Sequence, residues 1–287
     1  MAAIYKRELY SYFGNIMGWV FMALIFLVFG IYTAVLNLTQ GYADFSLVPY
    51  NAQFAYLIVV PLLTMKSLAE EHRQRTDQLL YSSSLSSYEI VIGKYLSMLT
   101  IIAIPLLLCC IYPLLLSSHG KVALGTALSS MLAFFMLGAA LIAIGLFLSS
   151  ITSNQFVSAT ICFCVLLICY FANDLKGFLS EKLVTSVYFF SVLIIALSVF
   201  AIYMTKSRMV GIVFFAVLEA VLLIIFFAFP GILDGSVAAV LSGIALFAKI
   251  EGFCNGIFDI SALIYYLSIA WLFIFFSAQA FDKRKWS

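Results

Sequence analysis

The sequence predicts an all-α polytopic membrane protein. Three observations carry that prediction. The 287 residues are 65% hydrophobic and 10% charged, with a mean hydropathy of +1.14, whereas a soluble domain is nearer half apolar and a quarter charged. The apolar residues gather into segments close to the length a helix needs to cross a hydrocarbon core of about 30 Å. The basic residues are unevenly shared between alternate loops, as the positive-inside rule requires of a spanning chain.

Residues 1–16 come first. Tyr5, Leu9, Tyr12 and Ile16 recur at helical spacing, with Lys6, Arg7, Ser11 and Asn15 opposite. That pattern predicts an amphipathic interfacial helix with its tyrosines at headgroup depth. Eight apolar segments follow, placed at 17–38, 51–66, 92–117, 123–149, 155–172, 187–204, 209–229 and 261–281. The second holds Pro61, and the third holds Pro105 and Pro113, which remove helix hydrogen bonds and predict a kink. With the N-terminus inside, eleven Lys and Arg fall on the inner side and Lys121, Lys176, Lys182 and Lys249 on the outer. An even number of spans then returns the basic C-terminal run to the cytoplasm.

Residues 230–260 are too apolar for an ordinary loop. Val237, Val240, Leu241, Ile244 and Phe247 form a helical stripe, which predicts an outer interfacial or re-entrant helix. In the fourth segment Ala139 with Ala143, and Gly145 with Ser149, are small residues one turn apart, a pattern for close helix packing. Glu219 interrupts the seventh segment. An intramembrane carboxylate is costly and is a functional candidate by default, either on a transport path or pinning helices together.

The six cysteines form no disulfide framework and, with only two histidines, no metal site is expected. Residues 6–8 are charged and precede a segment too long for a signal-peptide core, so no cleavable leader is expected. Basic residues are dispersed, so no nucleic-acid surface is expected. The phosphate-binding pattern G-x-x-x-x-G-K-[ST] does not occur, so the chain is not expected to be an enzyme that hydrolyses ATP.

The longest polar run lies from Lys66 to Lys94. It contains Glu70, Glu71, Arg73, Arg75, Asp77 and Glu89. Ser86 with Glu89 predicts a capping box, so a helix starts there, and the good helix formers from Ser67 to Tyr81 predict another before a Ser-rich turn. This run resembles the first cytoplasmic loop of the ABC type-2 permease family, the membrane subunits of ABC exporters. Ala69, Glu70, Glu71, Thr76, Leu79, Leu80, Ser83, Ser86, Glu89, Ile90, Val91, Gly93 and Lys94 match the family pattern in one register. Arg75, Gln78 and Ser84 stand where Gly, Glu and Pro are usual. Residues Phe253, Gly256 to Asp259 and Tyr265 to Ser268 look like the family's outer segment and final helix, so the resemblance covers residues 1 to about 172 and about 242 to 285.

The resemblance implies a single permease domain over 1–287. It would have an N-terminal elbow helix, a six-helix core, an inserted helix pair at 187–229 before the last span and an outer segment at 230–260. It implies that loop 67–91 couples to a separate ATPase subunit through Glu70, Glu71, Arg73, Arg75, Thr76, Asp77, Gln78, Leu79 and Leu80. ATP and Mg would sit on that partner, with no cofactor on this chain. A second permease subunit, the same or related, would complete the pathway in a bacterial-type plasma membrane. The eight-span form looks like the gliding-motility-associated branch, which implies an auxiliary membrane protein with an outer domain.

Two rival readings exist. Glu70-Glu71 with Arg75 resembles the first motif of membrane CAAX-type proteases, but that chemistry needs histidines on later spans, and none follows His119. An ion- or proton-coupled secondary transporter would use Glu219, but the sequence carries no clear internal repeat.

Overall fold

The computed structural model describes residues 1–74, 86–118, 120, 122–178 and 235–285, together with 187–192, 194–195, 198, 209, 212, 215–220, 222 and 226. All regular structure among them is helical. Six helical stretches are long and apolar enough to cross a membrane: Ile16–Thr39, Leu47–Glu71, Ser87–Ser117, Leu124–Ile151, Gln155–Lys176 and Ile260–Lys283. The two further spans expected at 187–204 and 209–229 fall largely outside the described residues. The chain divides into two compact units, one formed by 1–168 with 249–287 and the other by 169–248.

In the first unit, α1 (Ala2–Gly14) stops at Asn15, whose backbone is extended and whose side chain accepts from the Met17 amide to start α2 (Ile16–Tyr32). Trp19 donates its indole N–H to the Phe13 carbonyl, satisfying one open acceptor at the end of α1. The break has a consequence for the expected interfacial stripe. Ile16 belongs to the next helix and is exposed. Tyr12 is buried and donates to the Leu63 carbonyl, and the Tyr5 hydroxyl lies 3.0 Å from that of Thr100. The tyrosines thus reach into the bundle, because polar acceptors there offer what the headgroup region would. Tyr10, on the other face, is the outward one.

The second span is longer than its hydropathy predicts. It runs through α3 (Leu47–Ala52), a tight turn of helix at Gln53–Ala55, and α4 (Tyr56–Thr64) towards α5 (Leu68–Gln74). Its polar ends are sheltered by protein: Gln53 and Ser67 are buried and Asn51 bonds the Leu47 carbonyl. Hydropathy charges those residues as if they met lipid.

The third span is α6 (Ser87–Cys109) followed by α7 (Ile111–Ser117). The predicted break falls at Cys110, where Pro113 lacks the N–H that would bond the Cys109 carbonyl. The fourth is α8 (Leu124–Ile151), the fifth α9 (Gln155–Phe178), and the last α12 (Ile260–Lys285). Before it, α10 (Ser236–Ile244) and α11 (Glu251–Cys254) are short.

The second and fourth spans form the interior: 78% and 72% of their residues are buried, against 22–33% in the other four. Gly138 and Gly145 make their contact close. A methyl group on Gly145 would lie 2.6 Å from the Thr64 hydroxyl oxygen, and one on Gly138 would lie 2.5 Å from that of Tyr56. Tyr56 stacks on Phe134 and donates to its carbonyl at 3.0 Å. The small-residue reading of this helix holds, and α12 packs along it, with Phe147 against Phe273 and Phe276. At the end away from the polar loop, Ser46 and Cys254 bond each other's carbonyls.

In the second unit, Val237 and Leu241 of α10 pack with Ala172 and Ala245, bordered by Phe189 and Phe190. Three of the five stripe residues, Val237, Leu241 and Phe247, are therefore buried, while Val240 and Ile244 remain exposed. Ser191 donates to the Glu219 carboxylate at 2.8 Å.

Candidate functional site

The polar loop is fixed at both of its roots. At the entry, α5 begins with backbone N–H groups that no preceding turn can satisfy. Those of Leu68 and Ala69 donate to the Ser149 hydroxyl on α8, at 3.2 and 3.0 Å. A side chain from another span thus does the work of an N-cap. At the exit, the predicted capping box is present: Ser86 accepts from the Glu89 amide, and Glu89 accepts from that of Ser86. Next to it the Ser87 hydroxyl donates to Asp282, and Gln279 donates to the Tyr88 hydroxyl at 3.4 Å. The exit root is thereby tied to the end of α12.

Between the roots lies a cluster of four charges. Lys94 sits on α6 in an otherwise apolar run and is only 1% exposed. Its ammonium is 2.9 Å from Glu71 and 3.1 Å from Glu8, and it also donates to the Ser67 carbonyl at 3.4 Å. Arg7 closes the group from outside, 3.0 Å from Glu71 and 2.6 Å from Glu8. Two cations face two anions, so the cluster is neutral as a whole. That balance is what permits it: an isolated buried ion costs several kcal/mol after relaxation, on the order of magnitude of a whole domain's stability.

Gly93 explains how Glu8 gets there. A methyl group on Gly93 would stand 3.1 Å from the Ile4 side chain, so the missing side chain lets α1 lie close on α6. Glu8, one turn beyond Ile4, then comes level with Lys94. Burial opposes the charge on Glu8, but Lys94 and Arg7 outweigh it and hold its carboxylate below the usual value of 4.5.

Of the loop residues singled out in the sequence, Glu70, Glu71 and Arg73 lie on α5. Arg73 pairs with Glu70 at 2.7 Å on the exposed side of that helix. Glu71 is directed to Lys94 and Arg7. Arg75, Thr76, Asp77, Gln78, Leu79 and Leu80 lie outside the described residues. Sequence reasoning gave Glu8 no role and took Lys94 only as a match to the family pattern and an inner-side charge. The signal for Lys94 was available, since a lysine inside IVIGKYLSML meets the same rule that singled out Glu219. Glu8 had no such signal, because it belongs to the polar side of a helix that could equally face water.

No curated protein and no solved structure matches the chain. Residues 33–173 match the family model described as ABC-2 family transporter protein. That stretch includes the loop, both of its roots, Glu71, Lys94 and Ser149. Together with the six apolar helices, the match supports the ABC-2 permease family and, with it, a permease subunit of an ABC transporter.

Proposed function

We propose that the chain is one half of the translocation pathway of an ATP-driven exporter. A separate ATPase subunit binds ATP and Mg and docks on loop 67–91, and a second permease copy or relative completes the pathway. Both termini are cytoplasmic in a bacterial-type plasma membrane. The observation that carries this reading is the anchoring of the loop. A connector that only joins two spans needs no fixed roots, whereas a segment that transmits force does. Here the entry root is held by Ser149, Lys94 and Arg7, and the exit root by Asp282 and Gln279. Movement of the loop would therefore reach α1, α6, α8 and α12 together.

In this reading Glu70, Arg73, Arg75 and Asp77 meet charges on the ATPase, Leu79 and Leu80 fill its groove, and Thr76 and Gln78 line the contact. Glu71 takes a different part, anchoring the loop to the spans. The eight-span plan resembles the gliding-motility-associated branch, which would add an auxiliary membrane protein with an outer domain.

The test is capture of the tagged chain in mild detergent beside the same chain carrying Thr76→Glu and Leu79→Glu. An ATPase subunit that co-purifies with the first and is lost from the second supports the reading. A chain that purifies alone in both forms overturns it. A secondary transporter built on Glu219 would then lead, because one oxygen of that carboxylate is buried with no hydrogen-bond partner among the described residues.

A further inference from the structure

We infer that Lys94 is a positioning residue, which clamps the N-terminal helix and the entry root of the loop into a single mechanical piece. The inference rests on the permease reading for its purpose but not for its geometry. Lys94 stands on a third element, α6, and reaches one carboxylate from each of the other two: Glu8 from α1 and Glu71 from α5. Glu71 answers from α5, pairing with Lys94 on α6 and with Arg7 on α1. Arg7 spans the same two carboxylates from the outside, so α1 and α5 are bridged twice, once in the interior and once at the surface.

The arrangement differs in kind from the pair that Arg73 makes with Glu70. Arg73 and Glu70 are three residues apart on one helix, and Arg73 is half exposed. That pair can break and re-form against water at little cost. The Lys94 cluster cannot exchange its partners for water, because the ammonium is sealed off. Departure of α5 leaves Lys94 and Arg7 with Glu8 alone between them, and departure of α1, which carries Arg7 and Glu8 together, leaves the buried Lys94 with one carboxylate in place of two. A push on α5 therefore carries α1 with it, and the loop's motion is delivered to the first span through the break at Asn15 as well as to the second span directly.

Hydrogen–deuterium exchange on the full chain in nanodiscs tests the clamp without any partner. The informative variant is Lys94→Met with Glu71→Gln, which leaves Arg7 and Glu8 balanced and so spares the fold. Amides of α1 and α5 are expected to exchange about tenfold faster, with α8 unchanged. Glu70→Gln, which breaks the pair with Arg73, is expected to leave α1 unaffected. Protection of α1 and α5 that persists in the folded double variant overturns the clamp.

The mechanical role is read from spin labels at the exposed positions Tyr10 and Ser153, in the complex with its captured ATPase. Trapping with ATP and vanadate is expected to shift their separation in the parent chain and not in the double variant. A shift of equal size in both overturns the role. If no ATPase is captured even by the parent chain, the permease reading fails, and the exchange experiment still decides whether the clamp exists.

Discussion

Lys94 and Glu219 are both ionisable residues inside apolar helices, and the chain treats them differently. Lys94 lies in the first unit with two carboxylates within 3.1 Å and a backbone carbonyl besides. Glu219 lies in the second unit and has the Ser191 hydroxyl as its hydrogen-bond donor among the described residues. One site is arranged for a charged group. At the other, a single hydroxyl contact is seen among the described residues. An intramembrane charge is thus a pointer to a site, and the partners decide which kind.

The sharpest way to break the comparison is Lys94→Met. It leaves Glu8 and Glu71 facing each other with Arg7 alone to balance them. The expected loss is about 3–5 kcal/mol of unfolding free energy, the usual result of removing one partner of a buried pair. Denaturant unfolding in mixed micelles measures it, and a loss below about 1 kcal/mol would mean that water reaches the ammonium in solution.

This contrast also shows what the sequence could carry. The six spans were legible, because each is a continuous apolar run whose only requirement is length. So was the capping box at Ser86 and Glu89, which is local by nature. The true extent of the second span was not, since Gln53 and Ser67 are buried by neighbours and not by lipid. Nor was the clamp: Glu8, Glu71 and Lys94 are far apart in sequence, and their meeting depends on the close approach at Gly93. The partners of the tyrosine stripe were hidden for a related reason. Helical spacing identifies a face, but Tyr12 found an acceptor at Leu63 that no local pattern announces.

A smaller effect is expected from Glu8→Gln, about 1–3 kcal/mol, because Glu71 keeps both cations and the amide can still accept from Lys94. This variant also tests pH dependence. The folded carboxylate of Glu8 is held below its ordinary value of 4.5. Its stabilisation is therefore complete above that ordinary value and is lost as pH falls through the lower folded value. The parent chain should lose stability over that acidic interval, and Glu8→Gln should lose less there. Equal slopes would place the acid-sensitive group elsewhere. Arg7→Met should cost under about 1 kcal/mol and less in high salt, since the guanidinium side chain is 52% exposed. A cost as large as that of Lys94→Met would show the surface bridge to be the principal one.

The smallest effect belongs to Glu219→Gln. The amide replaces the carboxyl group with almost the same shape. Its oxygen can still accept from Ser191. Stability should then change by no more than about 0.5 kcal/mol. A loss above about 2 kcal/mol would point to a partner that the amide cannot serve, as Gln could not fully replace Glu71 beside Lys94. That result would erase the distinction between the two sites. It would also give Glu219 the pinning role in the second unit that the clamp has in the first.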